Sequence, residues 1–141
     1  MVDGKEPVST SDLLAVLGKG GTMPVVLFRD PTATIHELDG SGVTYDVALS
    51  QPVDDFTAII VCHFSAEYGM GGYNSYHDYI QAFPRVLLDP SNYYKQQLQT
   101  VHTMNGRYEE TTLPITASGS TLQVTIQDEW RACIFMVIGM K

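Results

Sequence analysis

Apolar and polar residues alternate strictly in VTYDVALS (43–50), and this period of two constrains the fold more than any other feature of the chain. Val43, Tyr45, Val47 and Leu49 fall on one side, Thr44, Asp46, Ala48 and Ser50 on the other, as side chains do along an extended strand. A helix, with 3.6 residues per turn, cannot sort them this way. The pattern returns in TLQVTIQD (121–128), where Leu122, Val124 and Ile126 oppose Thr121, Gln123, Thr125 and Gln127. Half-buried strands are predicted at both places.

Turn signals punctuate these runs. DGSG (39–42), Asn105-Gly106 and ASGS (117–120) are hairpin sequences, because Gly and Asn tolerate the positive φ that tight hairpins need. Between them, strands are predicted at MPVVLFRD (23–30), TATIHEL (32–38), TAIIVCHF (57–64), FPRVLLD (83–89), 96–104, RYEETTLPI (107–115) and RACIFMVIG (131–139). TAIIVCHF is continuously apolar and reads as a central strand; QPVDDF (51–56) before it reads as a polar link. No helical run of ten or more residues separates the strands, which excludes a βαβ fold. The chain therefore reads as all-β, a single antiparallel β-sandwich (jelly-roll-like) over 23–141.

An N-terminal arm and short helix are expected over 1–22. In TSDLLAVLGKGG, Thr10 or Ser11 can cap a helix, Asp12 suits its first turn, and Gly18, Gly20 and Gly21 end it. Leu13, Leu14, Val16 and Leu17 form its apolar face. Two turns are not stable alone in water, so this segment must pack on its own sheet or on a neighbouring subunit.

ACIFMVIGMK (132–141) is apolar on both faces: Ala132, Ile134, Met136 and Ile138 on one, Cys133, Phe135 and Val137 on the other. Such a strand belongs in the middle of a sheet, with its second side covered by a subunit or the N-terminal helix. Gly139 marks a bend or a close approach. Deleting 132–141 is predicted to give insoluble protein, and a soluble, folded deletion would refute this placement.

Charge narrows the partners. The net charge is −8 with only eight scattered basic residues, which argues against nucleic acid. Charged residues make up 17% of the chain, below the usual quarter, as in a surface packed against copies or partners. MVDGKEPVST at the start does not read as a secretory leader, and no apolar run approaches the roughly 20 residues of a spanning helix, so no membrane insertion is expected. Cys62 and Cys133, each inside an apolar run, read as free buried thiols rather than a pair bridging two sheets.

Chemistry-bearing patterns are sparse. His36, His63, His77 and His102 show no ligand spacing with one another or with a cysteine, and no metal or cofactor is expected. Cys62 and His63 are adjacent on a strand and so face opposite ways, unable to act as a dyad. Asp54-Asp55 and Glu109-Glu110 read as water-facing acids, GSG at 40–42 as a turn, and GMGG (69–72) lacks the lysine and helix of a phosphate loop. No catalytic residue is assigned, and the chain reads as a non-enzyme. The stretch 65–82 has no clean period and reads as a long protruding loop. Within it, Tyr68, Tyr73, Asn74, Tyr76, His77, Asp78 and Tyr79 form a candidate binding site, since tyrosines offer rigid contact area and Asn, His and Asp polar contacts. The competing reading is that these tyrosines cover a sheet edge or a subunit interface.

Two stretches carry a resemblance. VTYDVALSQPVDDFTAIIVCHF (43–64) and the closing ACIFMVIGMK resemble the small β-domains of tailed-phage and prophage tail proteins, with the likeness covering 43–64 and 107–141. Shared features are a strand ending in Leu-Ser, a link carrying Asp54, Asp55 and Phe56, an "AIIV" strand, and the terminal Val137, Ile138, Gly139, Met140, Lys141. The resemblance implies a virion structural protein of a tail fibre, baseplate or receptor-binding head. It would be assembled in the host cytoplasm as a homotrimer, with other virion proteins and a host-surface glycan or protein as partners. It carries over no catalytic residue. Fibres commonly place long shafts before such a domain, and only about twenty residues precede this one. Two alternatives stand beside it: a carbohydrate-binding module of sandwich type, with Tyr73, Tyr76 and Tyr79 on one exposed face, and a small barrel metalloenzyme with converging histidines.

Overall fold

The computed structural model describes residues 23–32, 43–69, 72–104, 107–126 and 131–141. The helix expected within 1–22, most of the strand expected at 32–38 and the DGSG turn lie outside them. Eight strands occur among the described residues: β1 Val25–Arg29, β2 Val43–Ala48, β3 Ala58–Gly69, β4 Gly72–Pro84, β5 Gln96–Met104, β6 Arg107–Ser118, β7 Thr121–Ile126 and β8 Arg131–Met140. They form two antiparallel four-stranded sheets, ordered β1-β8-β3-β4 and β2-β7-β6-β5. The expected β-sandwich is what the chain forms. The strands that open the chain lie beside those that close it, β1 against β8 and β2 against β7.

Alternation becomes burial as predicted. In β2, Val47 is buried while Thr44, Asp46 and Ala48 are exposed, and in β7 Leu122 and Val124 are fully buried. The core between the sheets takes Ile59 and Val61 from β3, Leu98 from β5, Leu113 and Ile115 from β6, and Val137 from β8. Each fully buried aliphatic side chain contributes roughly 1.5–3 kcal/mol. Gly119, at φ +56, makes the tight turn between β6 and β7. Its carbonyl accepts the Val53 N–H at 2.8 Å, and Ser120 O accepts the Leu49 N–H at 2.8 Å. The turn is thereby tied to the segment that follows β2.

Three local expectations are corrected. The stretch 65–82 is not a loop: β3 and β4 continue as one long hairpin, paired from Ala58↔Pro84 to Gly69↔Gly72. Residues of weak β-propensity hold strand geometry there because the ladder continues from the well-packed base. FPRVLLD is not a strand beyond Pro84; Arg85–Leu88 form a 3₁₀ turn that buries Leu88. QPVDDF is more than a polar link, since its 3₁₀ turn Val53–Asp55 buries Val53, and Phe56 is 4% exposed. Arg85 forms an ion pair with Asp54 and joins the two turns.

β8 sits between β1 and β3, as a strand apolar on both faces should. Its faces are not those of the simple alternation expected: the register against β3 shifts between Met136 and Ile134, so Ile134 joins Val137 in the core while Met136 and Ile138 lie on the opposite face. Gly139 pairs with Val25 and Ile59 without a bulge, so close approach explains it rather than a bend. The Phe56 ring lies against its Cα, 2.5–2.7 Å from where a Cβ would stand. The cysteines are both free and buried. They lie on neighbouring strands of one sheet, Cys62 opposite Met136 and Cys133 opposite Phe64, so a bridge across the two sheets is not what their placement offers.

Candidate functional site

Of the tyrosine-rich stretch, Tyr79 can be placed in full. It pairs with His63 across β3 and β4, is half-buried, and stacks on the imidazole with ring centroids 5.3 Å apart and planes 17° from parallel. Tyr68, Tyr73, Asn74, Tyr76, His77 and Asp78 occupy strand positions on the same hairpin, with Tyr68 opposite Tyr73 and Phe64 opposite Asp78. Their side chains lie outside the described residues.

His63 belongs to a polar bridge between the sheets. It is fully buried, and its Nε2 lies 2.8 Å from Gln81 Oε1. The same oxygen accepts the backbone N–H of Gln99 at 2.8 Å, and Gln81 Nε2 reaches Gln97 O at 3.5 Å. Because the Gln99 N–H can only donate, that side-chain oxygen is the acceptor, and His63 must donate from Nε2. The imidazole is thus the neutral Nε2–H tautomer, and buried Nδ1 has no hydrogen-bond partner. Burial holds the His63 pKa below its ordinary value, against a smaller upward pull from Gln81. The Gln81 amide meets the outer edge of β5 much as a neighbouring strand's peptide group would, so it blunts a free edge. A structural histidine, as the blander sequence reading held, fits this arrangement.

Both thiols are protonated at neutral pH. Burial raises the Cys62 pKa; burial and then the charge of Asp30 push Cys133 up to about 12. Neither is an activated nucleophile. Among the described residues no group of three His, Cys, Asp or Glu side chains could hold a metal, and no helix is long and apolar enough to cross a membrane.

The surface feature that stands out is the connector between β4 and β5. Val86, Leu87, Tyr93 and Tyr94 project from it into solvent, the two tyrosines 88% and 81% exposed. Their rings meet edge to face, centroids 4.9 Å apart. The connector is held by its own bonds. Asp89 Oδ1 accepts from Ser91 N at 2.8 Å and Ser91 Oγ at 2.6 Å, Asn92 Nδ2 donates to Val86 O at 2.8 Å, and Lys95 Nζ donates to Pro90 O. The Ser91 hydroxyl and then its amide keep the Asp89 carboxyl below its ordinary pKa, so it is charged at neutral pH. Large aromatic surface on a pre-ordered loop is the usual make-up of a contact surface, since little entropy is lost on binding.

Beside it, Pro90 and Lys95 overhang the outer face of the second sheet and enclose an open groove of about 260 Å³. Thr44, Pro114, Thr116, Gln123 and Thr125 form its floor. Thr44 Oγ1 and Thr125 Oγ1 are bonded to each other at 2.9 Å, and Gln123 Nε2 donates to Asp46 at 2.9 Å. Sequence reasoning passed over this site. The signal was there in DPSNYYK (89–95), two aromatics directly after a run of turn residues.

No protein-family model matches the chain, and neither does any curated protein searched.

Proposed function

We propose that this protein is a structural subunit of a phage tail, in a fibre, baseplate or receptor-binding head, that assembles as a symmetric homotrimer. The observation that carries the reading is the ordered connector holding Val86, Leu87, Tyr93 and Tyr94 out in water. A free protein gains nothing from exposing such a group, whereas a subunit buries it at assembly, and aromatic residues are enriched where interfaces concentrate their energy. The likeness of 43–64 and 107–141 to phage-tail β-domains supplies the context, and the charge-poor composition agrees with it. Analytical ultracentrifugation tests it: the wild type should sediment as a trimer, and Tyr93→Ala/Tyr94→Ala should shift it toward monomer. A wild-type monomer at high concentration would overturn the proposal.

A second reading, carbohydrate binding, draws on one observation. The connector that carries the tyrosine pair also lines, through Pro90 and Lys95, a groove with hydroxyl and amide groups, a combination that suits sugar faces and sugar hydroxyls. It moves the aromatic platform from the expected Tyr73, Tyr76 and Tyr79 to Tyr93 and Tyr94, since Tyr79 is stacked on His63. Calorimetric titration with a panel of oligosaccharides should then release heat that Tyr94→Ala abolishes, and an absence of heat would remove this reading.

A further inference from the structure

The outer face of the first sheet carries an apolar patch with definite borders. Register places Val26, Ile138, Ile60 and Ala82 side by side across the four strands. In the next row Met136, Cys62 and Ile80 stand together with Arg29 at the edge, and Met140, Ala58 and Pro84 make the row on the other side. The patch stops past Cys62, where the register sets Phe64 opposite Asp78. Ile80 is 75% exposed and Val26 52%. Antiparallel sheets that face water on one side carry polar residues there, as the second sheet does at Thr44, Asp46 and Gln123. The first sheet presents aliphatic side chains and two methionines instead.

We infer that this patch receives the connector of a second copy of the chain, Val86, Leu87, Tyr93 and Tyr94 of one protomer seating on the face around Ile80, Ile60 and Met136 of the next. The inference rests on the proposed trimer and names the surface that the connector meets in it. Symmetry asks for such a surface. A two-fold pair sets one patch against itself, but a three-fold ring needs two different patches that fit each other. Here the two are a projecting aromatic group and a flat aliphatic face. Connector on connector, or face on face, would leave the other group in water; the head-to-tail contact covers both. Sizes agree. Three rows across four strands outline on the order of 300–400 Å². A covered tyrosine buries roughly 150–250 Å², so a pair 88% and 81% exposed offers about 300–400 Å². Each chain thus covers about 700 Å² over its two contacts, close to the roughly 800 Å² per partner of a stable complex. Chemistry agrees as well. Met136 and Met140 are flexible enough to mould to a ring, and a thioether sulfur sits favourably at an aromatic edge. Pro84 ends β4 within the patch and Arg85 begins the connector, so the two surfaces adjoin on each protomer.

Cysteine trapping tests the pairing, with Cys62→Ala as background so that no native thiol lies in the patch. Ile80→Cys combined with Leu87→Cys, Tyr93→Cys or Tyr94→Cys in one chain should, for at least one pair, oxidise to a disulfide-linked trimer. Peptide mapping would place the bond between the connector of one chain and β4 of another, and each cysteine alone should give no covalent product. A bond formed by a connector cysteine alone would mean that connector meets connector, and one formed by Ile80→Cys alone that face meets face. Either result, or bonds that close only within one chain, overturns the inference. Ile80→Asp should remain folded by circular dichroism, since the side chain is exposed, and should weaken the trimer at least tenfold by sedimentation. If the wild type is a trimer that Tyr93→Ala/Tyr94→Ala dissociates, while Ile80→Asp leaves it intact and no pair is trapped, the inference falls and the tail-subunit proposal stands. A wild-type monomer overturns the tail-subunit proposal, and the inference with it.

Discussion

Gly139→Ala should be far more damaging than a single methyl group suggests. A Cβ at this position would stand 2.5 Å from Phe56 Cδ1 and 2.7 Å from its Cε1 and Cγ. Carbon atoms in contact prefer about 3.5–4.0 Å, so the ring would have to retreat by about 1 Å. It has little room. Phe56 is 4% exposed, its N–H donates to Val53 O at 3.1 Å, and the next residue is fastened to β8 by Thr57 N donating to Met140 O at 2.8 Å. β8 cannot yield either, because it is bonded on both sides, to β1 and to β3. Overpacking of this kind costs about 1–3 kcal/mol, and the rigidity on both sides places Gly139→Ala in the upper half of that range. For a chain of this length the melting temperature should fall by about 6–10 °C. Phe56→Leu alone should cost about 1–2 kcal/mol, less than full truncation of the ring. Combined, the two should partly cancel, because the smaller side chain leaves space for the added methyl. Urea denaturation of both single variants and the double variant would measure this, with a coupling of at least about 1 kcal/mol expected. Additivity within about 0.5 kcal/mol, or a neutral Gly139→Ala, would refute the claim that the ring's approach is what requires glycine there.

Gly119→Ala should cost about 1–2 kcal/mol through backbone conformation alone, since its φ is +56 and a Cβ there meets nothing within 4 Å; an unchanged denaturation midpoint would count against a left-handed turn. His63 is buried neutral with its pKa lowered, so its contribution is fully present above the unfolded value near 6.5 and is lost as pH falls below that. Stability should drop by up to about 1.4 kcal/mol per pH unit in that window, and His63→Gln should flatten this part of the profile; identical profiles would refute the neutral Nε2–H assignment. Gln81→Leu leaves the His63 donor and the Gln99 N–H without an acceptor and should cost about 1–3 kcal/mol by urea denaturation. A loss under 0.5 kcal/mol would mean the bridge contributes little.

Much of the sandwich was legible residue by residue. Val47 and Leu122 declare their buried side through alternation, and the turn at ASGS is local chemistry; the pair Asn105-Gly106 lies outside the described residues, with Met104 paired to Arg107 on either side of it. Gly139 announced a bend or a close approach, without deciding between them or naming what approaches. The stretch 65–82 misled because glycines and polar residues carry little strand propensity, while a ladder already started at Ala58↔Pro84 can continue through them. FPRVLLD misled in the opposite sense: its apolar residues serve a turn in which Leu88 alone is buried, leaving Val86 and Leu87 outside. The candidate site shifted for the same reason, since whether a tyrosine is a platform or a wall depends on what stands over it. Tyr79 has His63 against it, and Tyr93 and Tyr94 have mainly each other.

The amino-acid sequence by itself determined that this protein is built of antiparallel strands, which face of β2 and of β7 is apolar, and that the apolar run before Lys141 is a strand inside a sheet. Those properties are set within a few residues, by the period of two and by turn chemistry. Tertiary structure alone decided that β8 lies between β1 and β3, that Phe56 rests on Gly139, and that Gln81 reaches across to β5. Gly139 and Phe56 are more than eighty positions apart. Closing a long loop depends only weakly on its length, so no local signal marks the partner; it is chosen when every strand buries its apolar side at once.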